Sequence, residues 1–202
     1  MKALPRARRR RSGATLGRGE DPYSRPRLGA PLRVAFVGQS TFFAACALDE
    51  QSARARTAFV EFRAGADPEA MLARVRAFGP DAVVVFRPEI LPAGVFAGLR
   101  APVLGFLTEP VPRTRAQRHQ PDLRRRRFAL SQLDAGNVDR LVAFDPRIVP
   151  TADQYVPVWR SLPLPVADRL FAPPRAQSAT PTILFVGRST EHRERFLARP
   201  KA

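Results

Sequence analysis

The chain has 202 residues, 45% of them apolar, which is enough for one packed domain and a little more. A single cysteine, Cys46, excludes an intramolecular disulfide and any multi-cysteine zinc or iron–sulfur centre, and two histidines argue against a histidine-rich metal site. The net charge is +16, but it is concentrated in three places. Residues 1–30 carry nine Lys/Arg against Glu20 and Asp21, residues 113–127 carry seven Arg against Asp122, and residues 187–202 carry five Lys/Arg against Glu191 and Glu194. The remainder of the chain is balanced. Of 34 basic residues only Lys2 and Lys201 are lysine. That bias, with 21 prolines, fits a GC-rich coding sequence better than selection for phosphate contacts. Nucleic acid bound through the Arg clusters is therefore a subsidiary reading.

Residues 1–31 combine Pro, Gly, Ser and Arg with no apolar periodicity, so a disordered basic leader is expected. No apolar stretch follows its arginines as a signal peptide requires, and no apolar run approaches the ~18 residues of a membrane span. A cytoplasmic protein is the expectation.

From Leu32 the texture changes. Short Val- and Phe-rich runs recur at 33–37, 58–62, 82–86, 103–107 and 141–144, each bounded by Gly, Pro or Asp. Such runs fit strands buried on both faces of a parallel sheet. Helical patterns lie between them. Asp67 and Pro68 form an N-cap and first helical position, Met71, Leu72, Val75 and Phe78 recur at helical spacing, and Gly79–Pro80 stops the helix. A shorter apolar helix is expected over Phe42–Leu48, capped by Ser40 or Thr41, with Cys46 as a small core residue. A basic helix is expected over 121–134, with Phe128, Leu130 and Leu133 on its apolar side. Strand–helix alternation predicts an α/β fold: a Rossmann-like parallel sheet flanked by helices over residues 32–160. A Pro-rich interdomain connection follows over 161–181. At 182–202 the truncated start of a second Rossmann-like domain is expected.

Two turns place Gly after a buried strand and hydroxyls at a helix start: Gly38 with Ser40 and Thr41, and Gly187 with Ser189 and Thr190. Backbone N–H groups there can face an anion, although the same residues also serve as a tight turn and a cap. Neither turn has the full Gly-x-Gly-x-x-Gly fingerprint or a Walker lysine. Thr108 and Glu109 follow the strand 103–107, at the edge where α/β folds place ligands. Glu109 is either a general base or hydroxyl ligand, or the ion-pair partner of Arg87 or Arg113. His119, in the basic loop, is either an exposed loop residue or an acceptor or phosphate contact. Asp145 is either a strand-end ligand or a turn residue before Pro146. Tyr155 and Trp159 either wall an acceptor site or pack the interdomain connection.

The residues Leu162, Pro163, Pro165, Val166, Asp168 and Phe171, followed by the strand and turn Ile183–Thr190 and the helix start containing Arg193, carry a resemblance. This stretch resembles two-Rossmann-domain (GT-B) glycosyltransferases of the family 1 and spore-maturation type. The resemblance covers about 170 residues, but only about the last 40 carry specific motifs. It implies transfer of a sugar from a nucleotide-sugar donor to an acceptor hydroxyl, with residues 32–160 as the acceptor-type domain. It matches Gly187, Ser189 and Arg193 to the turn beside the donor diphosphate; from their own placement Glu109 is the catalytic candidate, and Gly38, Ser40 and His119 are candidates for an acceptor or phosphate loop. It requires no metal or cofactor. Most of the donor domain has no counterpart in the 202 residues, so a truncated, inactive half is expected. A standalone flavodoxin-like domain holding a phosphate ligand at Gly38 is the rival reading.

Deleting residues 1–30 is expected to leave the thermal unfolding midpoint nearly unchanged. A loss of several degrees would show that the leader packs on the fold.

Overall fold

The computed structural model describes residues 29–47, 53–112 and 119–164. The chain divides into two compact units, 1–171 and 172–202, and all described residues lie in the first. The expected leader up to residue 28, most of the connection and the whole second-domain segment lie outside the described residues.

Six strands form one sheet: β1 (Leu32–Gly38), β2 (Ala55–Glu61), β3 (Ala82–Phe86), β4 (Val103–Leu107), β5 (Arg140–Ala143) and β6 (Val158–Ser161). Their order is β2-β1-β3-β4-β5-β6, and every pairing is parallel. Helices α1 (Ser40–Ala47), α2 (Pro68–Phe78), α3 (Pro121–Ser131) and α4 (Val149–Ala152) supply the flanking layers. The fold is a Rossmann-like α/β sheet, as the strand–helix alternation predicts.

The strand runs carry apolar residues at both phases because both sheet faces are covered. Ala35 and Val37 of β1 and Val83 and Val85 of β3 join Met71, Leu72 and Val75 of α2 on one face. Val34 and Phe36, Val84 and Phe86, and Leu104 and Phe106 point to the other face, with Phe43 and Ala47 of α1. This is the two-residue alternation of a strand, with apolar groups at both phases. On the α1 side Phe86 stacks on Phe43, with ring centroids 4.4 Å apart. Leu130 of α3 packs with Leu141 and Ile148 at the far end of the sheet.

At the amino edge, two aspartates repeat one device. Asp81 Oδ2 accepts from the Arg33 N–H at 2.8 Å, and Asp139 Oδ2 accepts from the Val103 N–H at 2.8 Å. Each satisfies a strand-start amide on the neighbouring strand.

Helix α2 follows its sequence signals. Asp67 accepts from the Glu69 N–H, Pro68 opens the helix, and Gly79 closes it at φ 62°, a left-handed conformation that glycine adopts without a Cβ clash.

Several expectations are corrected. Helix α1 begins at Ser40 itself. The Gln39 carbonyl accepts from the Phe43 N–H, so Ser40 and Thr41 lie inside the first turn and are not its cap. The side chain of Cys46, read as a core residue, lies outside the described residues. Strand β2 starts three residues early, because edge position tolerates the polar Arg56 and Thr57. A sixth strand, β6, was not anticipated, and Ser161 and Leu162 continue its pairing on Ala143.

In α3, Phe128 is 66% exposed. The inward face is Leu123, Arg126, Arg127 and Leu130, at i, i+3, i+4 and i+7. Phe128 lies two residues from Leu130, about 200° around the helix, so the two cannot share a face.

Gly105, in the middle of β4, is required by close packing. A Cβ there would lie 2.9 Å from Val138 Cγ1, 3.0 Å from Leu141 Cδ1 and 3.1 Å from Pro88 Cγ. Gly105→Ala is expected to cost about 1–3 kcal/mol in urea unfolding. Unchanged stability would show that these neighbours yield freely.

Candidate functional site

All six strands run the same way, so their carboxyl ends share one edge. Strand order reverses between β1 and β3, with β2 on one side of β1 and β3 on the other. Open α/β sheets hold ligands at this carboxyl edge, beside such a reversal.

Beside it, at the ends of β3 and β4, four charged side chains meet. Arg87 directly follows β3, and its N–H donates to the Phe106 carbonyl at 3.0 Å, extending the ladder. Its φ of 62° is left-handed, an uncommon conformation for a residue with a Cβ. That twist turns the chain into the short Pro88–Ile90 turn that carries Glu89. Glu109 lies two residues beyond β4. Arg126 comes from the inward face of α3.

The Glu109 carboxylate is held by both guanidinium groups. Arg126 Nε lies 3.1 Å from Oε2, and Arg87 Nε lies 3.8 Å from Oε1. Arg87 Nε also donates to Glu89 Oε1 at 3.0 Å. Arg87 thus stands between two carboxyls. Glu109 is partly exposed, whereas the Glu89 side chain is only 6% exposed. Burial pushes the Glu89 carboxyl above its ordinary range, against hydrogen bonds from its own backbone and from Arg87, and the charge of Glu109 adds to the rise. Oε2 of Glu89 and Oγ1 of Thr108 are both buried without a hydrogen-bond partner among the described residues. A cavity of about 10 Å³ lies between Glu89, Glu109, Arg126, Leu107, Val111 and Leu130.

Of the two readings left open for Glu109, the ion pair with Arg87 is present, joined by Arg126. Arg113 lies outside the described residues. The pairing leaves the carboxylate partly exposed, and a carboxylate has acceptor sites for more than two donors.

Gly38 and Ser40 reach the same edge two strands away, on the order of 10 Å by strand spacing. Gly38 is pressed against β3, where a Cβ would come within 3.1 Å of Phe86 Cβ. The Ser40 N–H donates to Glu61 Oε2 at 2.5 Å, and Arg63 Nε donates to Glu61 Oε1 at 2.7 Å. A carboxylate of the chain itself therefore occupies the amide that a phosphate would use. His119 is exposed, just ahead of α3, and is not brought to Glu109 by any contact described. Asp145 is a turn residue, accepting from the Arg147 N–H at 2.9 Å. Tyr155 packs against the core near Ile148, and Trp159 is 49% exposed, with the Arg160 guanidinium 3.8 Å over its ring. Gly187, Ser189 and Arg193 lie outside the described residues.

An open groove of about 460 Å³ runs past Ala135, Asp139, Arg140 and Trp159. It opens at the amino ends of β5 and β6, opposite Glu109, and its Asp139 is committed to the Val103 amide. Its position argues against it as the centre of chemistry.

Glu61, Glu89 and Arg126 were not singled out from sequence. Each had a signal. Glu61 and Glu89 sit at or just past the end of a buried run, as Glu109 does. Arg126 falls on the i, i+3, i+7 stripe with Leu123 and Leu130.

Glu61 makes a stability prediction. Partial burial pushes its carboxyl up, but hydrogen bonds from Ser40 and the charge and hydrogen bond of Arg63 outweigh this and hold it below its ordinary 4.5. A lowered folded-state value contributes stability that is present above the unfolded value and lost as pH falls through the folded one. Wild type should therefore lose its advantage over Glu61→Gln as pH drops below about 4.5, measured by urea unfolding at pH 7 and near pH 3.5. A constant difference would place Glu61 in water.

Comparisons with family models, with curated proteins and with solved structures find no match to this chain.

Proposed function

We propose that residues 32–160 form the acceptor-binding half of a GT-B-like glycosyltransferase, which moves a sugar from a nucleotide-sugar to an acceptor hydroxyl in the cytoplasm. The observation that carries this reading is the Glu109 carboxylate, held between Arg87 and Arg126 at the carboxyl edge of a parallel sheet. Two fixed guanidinium groups orient it, so that it meets a ligand hydroxyl without reorganising. The motifs at 162–171 and 183–197 support the same reading by resemblance. On that resemblance Gly187, Ser189 and Arg193 stand beside the donor diphosphate. Helix-start amides and arginine would offset the charge of the leaving group there.

The rival reading, a phosphate ligand at Gly38 and Ser40, is less well supported. An anion arriving there would have to displace Glu61 from the Ser40 amide.

A panel of glycosides, polyols and phenols, screened by calorimetry, is expected to yield a ligand that Glu109→Gln weakens about tenfold, the scale of one charged hydrogen bond. The melting midpoint should stay nearly unchanged. Nucleotide-sugars are expected to bind the 202-residue chain more weakly than micromolar, since on the acceptor-side reading residues 32–160 supply no donor contacts. Binding that is indifferent to Glu109, or micromolar affinity for a nucleotide-sugar, would overturn the acceptor-side reading.

A further inference from the structure

We propose that Glu89 and Glu109 act as one proton-sharing carboxyl pair, joined through the small cavity between the ends of β3 and β4 and helix α3. The pair stands on its own geometry. Its role in handling an acceptor proton rests on the function proposed above.

The first observation is an orphan atom. Glu89 Oε1 accepts from Arg87, but Oε2 is buried without a partner among the described residues. A bare carboxylate oxygen in that position is costly, and a proton on it removes the charge. The resulting O–H is a donor and needs an acceptor.

The second observation is where that acceptor lies. Glu89 and Glu109 line the same cavity. At about 10 Å³ it has room for roughly one water, which could bridge the two carboxyls. Among the described residues, three elements bring charged groups to it. The turn after β3 gives Arg87 and Glu89, the end of β4 gives Glu109, and α3 gives Arg126. Leu107, Val111 and Leu130 complete the lining and carry no charge.

Charge count alone would balance with both carboxylates ionised against Arg87 and Arg126. Burial and the orphan Oε2 are what favour a neutral Glu89, leaving Glu109 as the charged partner of the two guanidinium groups. The transfer within the pair balances: the Glu89 O–H gives its proton to the bridging water, and that water gives one to Glu109. Glu89 becomes the carboxylate, Glu109 the acid, and the water is restored. On the acceptor reading, Glu109 is the partly exposed member that meets the hydroxyl and exchanges protons with solvent. Glu89 is a positioning residue, which keeps two negative charges from competing for Arg87.

Infrared spectroscopy of the full chain tests the pair without any ligand. A neutral-carboxyl C=O band is expected at pH 7, absent in Glu89→Gln and retained in Glu109→Gln. In Glu109→Gln the pH at which the band disappears should move down, because a like charge has been removed. Gln matches the neutral acid in shape, so Glu89→Gln should fold. If it does not, carboxyl-carbon NMR of the parent chain must show one glutamate titrating above all the others. A band that survives Glu89→Gln, a titration that Glu109→Gln leaves in place, or no high-titrating glutamate would each overturn the pair. The two proposals separate cleanly. A shared band without acceptor binding removes the sugar-transfer reading and keeps the pair. Glu109-dependent binding without the band does the reverse.

Discussion

Parallel pairing is the constraint on which everything else depends. Each strand of a parallel sheet must return by a crossover, and the crossover helices cover both faces. In this chain that requirement explains the apolar runs at both strand phases, with Ala35 and Val37 facing α2 while Phe36 faces α1. It also sends every carboxyl end to one edge. Residues just past a strand, Glu61 at the end of β2, Arg87 after β3 and Glu109 after β4, are thereby gathered from distant parts of the sequence.

The two edges of the sheet are chemically different. At the amino edge, Asp81 and Asp139 spend their carboxylates on strand-start amides, which is structural work. At the carboxyl edge the acids meet arginines instead, and one of them is buried with an oxygen left over. A fold held together by aliphatic and aromatic packing does not need that arrangement for stability. Burying a charge pair commonly costs as much as it returns. The left-handed Arg87 adds backbone strain at the same point, a pattern found where geometry serves a site.

The Gly38 turn shows how a familiar local pattern can be used for another purpose. Its glycine is required by the close approach of Phe86, and its amide is satisfied by Glu61. Both features of an anion-binding turn are present, and both have structural partners. The Glu109 cluster lacks such closure among the described residues, and the proposed site rests on this difference.

The sequence by itself determined the parallel α/β fold, because two-faced apolar runs and capped helices are local patterns with local causes. Asp67, Pro68 and Gly79 specify α2 within a dozen residues, and four of the five expected runs fall within one residue of the observed strands at both ends. It also placed Glu109 at a strand end, with pairing to Arg87 or Arg113 as one of its two readings. Only the tertiary structure decided the rest. Strand β6 has half-exposed Trp159 and Arg160 at its centre, so it carries no buried-run signature and exists because β5 offers it a ladder. The inward turn of Arg126 depends on which face of α3 meets the sheet. The burial of Glu89 depends on β4 and α3, which close over it from more than a dozen residues away. Those are long-range contacts, and no local spacing encodes them.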